Sequence, residues 1–158
     1  MRARCNMNVN VVSTSIALGL MLAFGTPATP AWATDISWHS TAKLVYQNGT
    51  NYRREGTAVL STGETAGFVG EGTAYLTNEK GVTPLKTQYM LRFDDGSTLT
   101  FRMVGGRSQF DGTTFGSGEF LNGTGRFDGV TGKVTYTGQV GGAVSEGDWT
   151  GSYSLPSK

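Results

Sequence analysis

Apolar and polar residues alternate with a period of two along most of the chain after residue 33. In the first such segment one face carries Ile36, Trp38, Ser40, Ala42, Leu44 and Tyr46, and the other carries Ser37, His39, Thr41 and Lys43. Because side chains alternate between the two faces of a β-strand, this pattern predicts a strand with one buried face. No window shows the 3.6-residue period of an amphipathic helix, so the domain is predicted to be all-β.

Turn-forming residues divide the region into eight predicted strands. Asn48-Gly49 and Asp94-Asp95-Gly96 are tight-turn sequences, and glycine pairs at 105–106 and 141–142 are predicted strand ends. Residues 78–83, followed by Pro84, and residues 146–148 are predicted connections. After the first strand, the predicted strands cover about 52–60, 66–77, 85–93, 97–104, 113–122, 133–140 and 149–155.

Eight short antiparallel strands in one domain predict an eight-stranded antiparallel β-barrel. A β-sandwich is the alternative that the same strand count allows. Closure of the sheet is favoured because it removes the exposed strand edges through which β-proteins aggregate.

A glycine-rich stretch at 116–132 (GSGEFLNGTGRFDGVTG) contains six glycines in 17 residues. Glycine tolerates positive φ and lets two backbones approach closely. The stretch is therefore predicted to form a strand, a tight irregular turn and a second strand, as at the corner of a closing barrel.

Residues 1–33 have the order of a secretory signal peptide. Arg2 and Arg4 precede an apolar stretch at 11–25, and Ala31-Trp32-Ala33 forms an A-x-A cleavage site. A membrane anchor is the alternative, but the apolar stretch is shorter than the roughly 20 residues that a spanning helix needs. The sequence thus predicts a secreted or periplasmic protein with one β-barrel domain at 34–158 and no membrane span after cleavage.

The composition of residues 34–158 excludes several kinds of partner and cofactor. Twelve acidic residues stand against eleven basic ones without a basic stripe, which argues against nucleic-acid binding. The one cysteine, Cys5, lies in the leader, and His39 alone cannot build a histidine metal site. Gly70-x-Gly72 lacks the third glycine and following helix of a dinucleotide fingerprint, so no cofactor and no metal is expected.

The segment Gly123-Thr124-Gly125-Arg126-Phe127, followed by Gly129 and Gly132, resembles the G-x-G-x-F…G motif of the allene oxide cyclase barrel and dirigent proteins. This resemblance implies an eight-stranded antiparallel barrel with an apolar cavity, and for dirigent proteins it also implies export. The catalytic residues of the cyclases and the acidic pocket residues of dirigent proteins cannot be placed here by motif, so no residue role is transferred.

Glu119 is the candidate for a catalytic acid. It would be buried if Phe115 and Leu121 point inward and solvated if Phe120 does. A buried carboxylate would need a partner such as Arg92 or Arg102 and would have a shifted pKa suited to proton transfer. The alternative is an outward charge on a solvated barrel wall.

Aromatic residues are the candidates for a ligand-binding surface, although aromatics also fill small barrels. The four favoured as ligand-binding are Trp38, Tyr75, Tyr136 and Trp149. Trp38 and Trp149 lie on the first and last strands, so barrel closure predicts that they are neighbours.

Two classes of function remain open. One is a non-catalytic exported barrel that binds a small apolar or aromatic ligand or a partner protein. The other is a cofactor-free cyclase or isomerase, or a dirigent-type guide of a reactive intermediate. The absence of a recognisable triad, metal set or acid–base pair in the sequence favours binding, and the oligomeric state stays open.

Overall fold

The computed structural model describes residues 33–157, so the predicted leader lies outside the described residues except for Ala33. Eight strands and one 3₁₀ turn (η1) make up the domain. They are β1 (Thr34–Asn48), β2 (Asn51–Leu60), β3 (Thr65–Ala74), β4 (Val82–Phe93), β5 (Thr98–Ser108), β6 (Thr113–Thr124), η1 (Gly125–Phe127), β7 (Thr131–Gly141) and β8 (Val144–Ser154).

The strands form one closed antiparallel barrel in sequence order. Strand β1 pairs with β2 on one side and with β8 on the other, from Thr34↔Tyr153 to Lys43↔Val144. The all-β barrel prediction is therefore confirmed, and the sandwich alternative is excluded because no sheet edge is left open.

Closure also brings the two tryptophans together, as predicted. Trp38 lies directly opposite Trp149 in the β1–β8 ladder. Their rings stack with centroids 5.5 Å apart and planes 7° from parallel. The Trp149 indole N–H donates a 2.8 Å hydrogen bond to the Ser40 hydroxyl, which fixes the ring within the core.

Two glycine-containing segments predicted to end or connect strands lie inside strands instead. Strand β5 continues through Gly105 and Gly106 to Ser108, and β8 begins at Val144, upstream of Gly147. A Cβ on Gly105 would collide with the backbone of Phe115 and Gly116. These glycines therefore permit close approach within the sheet, and they do not terminate pairing.

Two further boundaries differ from the sequence prediction. Strand β3 ends at Ala74, and β4 starts at Val82, so Pro84 lies within a strand. The face predicted for β1 also holds only as far as Leu44. The register shifts between Leu44 and Tyr46, and Tyr46 is left about half exposed. An extra residue in one strand moves every later side chain to the other face.

Aromatic side chains fill the middle of the barrel. The Trp149 ring contacts the rings of Tyr136 and Tyr89 at centroid distances of 4.2 and 4.9 Å. Phe101 packs edge-on against both tryptophans, at 5.5 Å from Trp38 and 5.3 Å from Trp149. This layer is a packed core that separates the two ends of the barrel.

One end of the barrel is closed by the predicted glycine-rich corner. Gly125 and Gly129 have φ of 61° and 73°, and between them η1 turns the buried Phe127 ring into the barrel end. Phe127 packs 5.1 Å from Phe93 and 5.8 Å from Tyr153, measured between ring centroids. The corner therefore plugs this end of the barrel with an aromatic side chain.

Candidate functional site

The opposite end of the barrel contains a cavity. Its volume is about 40 Å³, which is room for about three water molecules or one small chemical group. The cavity lies between the aromatic layer and the turns that join β1 to β2, β3 to β4, β5 to β6 and β7 to β8. Its walls include Ser40, Arg54, Leu85, Thr87, Tyr89, Met103, Thr114, Tyr136, Val140, Ser145 and Trp149.

Glycines on neighbouring strands make the room that the two cavity tyrosines occupy. A Cβ on Gly70 would lie 2.5 Å from the Tyr89 ring, and a Cβ on Gly147 would overlap the Tyr136 ring. Each ring therefore lies flat across a strand that has no side chain at that point. The arrangement fixes both phenols at the wall of the cavity.

Polar atoms at this end surround the aromatic walls. The Tyr52 and Thr87 hydroxyls are joined by a 2.5 Å hydrogen bond, and the Tyr136 hydroxyl donates to the Glu146 carbonyl at 3.3 Å. Burial raises the pKa of Tyr52, Tyr89 and Tyr136 above the ordinary tyrosine value. All three phenols therefore stay protonated near neutral pH. The Tyr136 O–H is already used by the Glu146 carbonyl, whereas the Tyr52 and Tyr89 hydroxyls can donate hydrogen bonds to a ligand oxygen.

Arg54 is the charged residue in the cavity wall. It lies on β2 in phase with the buried Ala58 and Leu60, so its side chain extends along the inner face. One guanidinium nitrogen donates to the Ala143 carbonyl at 3.2 Å. Burial lowers the pKa of Arg54 from its ordinary value, but an arginine remains charged near neutral pH.

Three of the four aromatic residues proposed as ligand-binding lie inside the barrel. Tyr136 and Trp149 border the cavity, whereas Trp38 is buried behind Trp149. Tyr75 follows β3 outside the barrel, and half of its surface is exposed. The structure thus brings Tyr136 and Trp149 to one site and leaves Tyr75 away from it.

Glu119 lies on the outer face of β6. Its neighbour Phe120 is buried, so the alternation turns the Glu119 carboxylate to solvent. There it pairs with Arg102 at 2.5 Å, and both side chains are about half exposed. Arg92 is also exposed on the outer wall. Glu119 therefore contacts neither the cavity nor a buried partner.

His39 lies on the outer face of β1, where its Nδ1 is 2.8 Å from an Asp148 carboxylate oxygen. Among residues 33–157, no group of three or more histidine, cysteine, aspartate or glutamate side chains is placed to hold a metal ion. Within the same residues, no helix has the length and apolar character needed to cross a membrane.

Sequence reasoning missed Arg54, Tyr52 and Tyr89. The sequence does contain a signal for Arg54. It is separated from Ala58 and Leu60 by even numbers of residues, so all three side chains point to the same face of the strand. A charged residue at an interior-facing strand position is uncommon, because charged side chains are rarely buried without a partner. Tyr89 alternates in phase with Leu91 and Phe93 of β4, but its position at the cavity depends on the register of the sheet.

Comparison with solved structures identifies the architecture. A pterocarpan synthase dirigent protein superimposes with a TM-score of 0.54 over 81% of this chain and 88% of its own, at 13% sequence identity. The barrel has a dirigent-protein fold. The predicted resemblance to dirigent barrels is thereby confirmed for the fold, and the allene oxide cyclase part stays a prediction.

No family model matches the chain, and no curated protein matches it either. The structural similarity to the dirigent protein therefore establishes the fold alone, because one fold supports many activities.

Proposed function

We propose that the protein is an exported binding protein whose open barrel end takes up a small aromatic ligand, or one aromatic end of a larger molecule. The observation that carries the proposal is the cavity bordered by Tyr89, Tyr136 and Trp149, with Leu85 and Met103 completing its apolar wall. Flat aromatic walls with a few polar atoms are the usual composition of a small-molecule site. The volume of about 40 Å³ matches one inserted group better than an enclosed drug-sized molecule.

Tryptophan fluorescence tests this proposal directly, because Trp149 borders the cavity and stacks on Trp38. The titrants are benzamide, cinnamamide and 2-naphthamide together with the corresponding carboxylic acids. Saturable quenching by at least one compound is expected. Absence of saturable quenching by all six would refute binding in the cavity.

A matched pair of variants locates the binding. Ser145 borders the cavity on β8, whereas Ser117 is exposed on the outer face of β6. Ser145→Phe is expected to fill the cavity and abolish quenching, and Ser117→Phe is expected to leave it unchanged. Equal affinities in the two variants would place the ligand elsewhere on the barrel.

Export is tested separately. Cleavage after Ala33 predicts that the mature protein begins at Thr34. N-terminal sequencing of the exported protein checks this, and an intact Met1 in a membrane fraction would contradict it.

A second candidate is a cofactor-free cyclase or isomerase, or a dirigent-type guide. The similarity to a pterocarpan synthase dirigent protein and the protonated phenols of Tyr52 and Tyr89 favour it. However, the interior-facing strand positions of residues 33–157 carry no carboxylate and no histidine that could act as a base. Product formation from a bound compound that is lost in Tyr89→Phe, with binding retained, would favour this candidate over simple binding.

A further inference from the structure

The inner wall of the barrel has an unusual charge balance. The strand positions that alternate inward across residues 33–157 include two charged side chains, Arg54 on β2 and Arg107 on β5. No aspartate or glutamate occupies an inward position on any of these strands. Both arginines lie toward the open end, so the inward strand positions there carry two positive charges and no carboxylate.

Three of the four arginines that lie outside the barrel interior in the described residues have carboxylate partners, and Arg92 is the exception. Arg53 pairs with Glu55 and Glu71, and Arg126 pairs with Glu64 at 2.6 Å. In the described part of the chain, Arg54 and Arg107 have no carboxylate within 4.0 Å. A partly buried guanidinium without a counter-charge is costly, because burial removes water that is not replaced by an anion.

Arg107 and its strand neighbour also have unused hydrogen-bonding capacity. The Arg107 Nε–H is buried and has no acceptor among the described residues. Thr114, directly opposite Arg107 on β6, borders the cavity and is 4% exposed. Its buried hydroxyl approaches Tyr136 but makes no hydrogen bond of acceptable geometry. Buried polar atoms without partners are rare in native proteins, and a ligand or water at the open end could complete the bonding of these two.

We propose that Arg54, Arg107 and Thr114 form an anion subsite that binds the carboxylate of an aromatic acid at the barrel mouth. This inference rests on the proposed function, since the aromatic part of the ligand occupies the cavity walled by Tyr136 and Trp149. A guanidinium matches the planar, two-oxygen geometry of a carboxylate, and charge-assisted bonds are the strong ones. A neutral ligand would leave both arginines uncompensated.

The test compares each acid with its uncharged amide, which has nearly the same shape. The pairs are benzoate with benzamide, cinnamate with cinnamamide, and 2-naphthoate with 2-naphthamide, titrated at pH 7 against tryptophan fluorescence. For each pair that binds, the acid is expected to bind about 10-fold to 100-fold more tightly than the amide, as is typical of hydrogen bonds to charged groups.

Arginine variants test whether the preference for the acid over the amide arises at the proposed anion subsite. Arg54→Met and Arg107→Met, tested separately, are each expected to lower the acid-to-amide affinity ratio about tenfold while amide binding persists. Arg92→Met is the matched control, because Arg92 is exposed on the outer face of β4 and has no carboxylate within 4.0 Å among the described residues. It should leave the ratio unchanged. Circular dichroism checks folding, and if one variant fails to fold the other decides.

The outcomes separate the two proposals. Equal affinity for acid and amide in the wild-type protein would overturn the anion subsite and leave aromatic binding intact. A preference for the acid that survives in the folded arginine variants, or that falls equally in Arg92→Met, would also overturn it. Failure of every acid and every amide to bind would overturn both the subsite and the proposed function.

Discussion

Replacement of Phe127 by alanine tests the division of the barrel into a plugged end and a binding end. The Phe127 ring is 4% exposed and packs against Phe93 and Tyr153, and the Arg126 guanidinium lies 5.0 Å from its centroid. Phe127→Ala removes the transfer free energy of a buried aromatic side chain, about 1.5–3 kcal/mol. Loss of the cation–π contact adds about 0.5–1 kcal/mol, and the cavity left behind adds more.

The expected destabilisation is therefore about 3–5 kcal/mol, as is typical of buried phenylalanine-to-alanine changes. Urea denaturation followed by tryptophan fluorescence measures it. Phe110→Ala is the control, because Phe110 lies in the turn between β5 and β6 at the other end and is 85% exposed. That change should cost less than about 0.5 kcal/mol. Ligand affinity of folded Phe127→Ala should equal that of the wild type, since the aromatic layer lies between. Equal urea midpoints for the two variants would refute the plug.

Two further predictions concern the corner and the tyrosines. Gly125→Val should lower the free energy of unfolding by about 1–3 kcal/mol, because φ is 61° at Gly125. The loss should be larger than in Gly49→Val, since a Cβ at Gly125 would lie 2.8 Å from the Ser97 Cβ, whereas a Cβ at Gly49 (φ 58°) would meet no atom within 4 Å. Equal urea midpoints for the two variants would contradict a steric contribution at Gly125. Burial raises the pKa of Tyr52, Tyr89 and Tyr136, so stability that is present below the unfolded tyrosine pKa of about 10 should be lost as the pH rises above it. Urea midpoints between about pH 8 and about pH 11 measure the loss, which should be smaller in Tyr89→Phe.

Most of the fold followed from alternation and turn chemistry. The period of two along β1 and the turn residues around Gly49 and Gly96 were enough to give eight strands and their order. The predictions are wrong where glycine permits close packing and does not end a strand. The sequence predicts strand breaks at Gly105 and Gly147, but both lie inside strands against a neighbouring backbone or ring. Sequence alone does not show what lies opposite a glycine.

The site was less predictable, because it depends on which residues from different strands share one level of the barrel. Trp38 and Trp149 could be paired in advance, since they lie on the two strands that closure must join. Arg107 and Thr114 meet only through the β5–β6 register, which a shift between Thr100 and Phe101 displaces by one residue. A one-residue shift moves a side chain from the inner face of the barrel to the outer face. Sequence-based predictions of which residues point inward therefore fail most often beyond such a shift.

The joining of β1 to β8 has a consequence for the way the chain folds during synthesis. Strand β1 is synthesised before the other seven strands, yet half of its strand-pairing partners are in β8, the eighth strand of the barrel. Until β8 emerges, the nascent sheet has two unpaired borders, and the stacked tryptophans cannot meet. Such a long-range pairing is slow because the entropy of closing the full chain must be overcome before any closing contact forms. The barrel that still lacks β8 is thus the species most exposed to association with other chains.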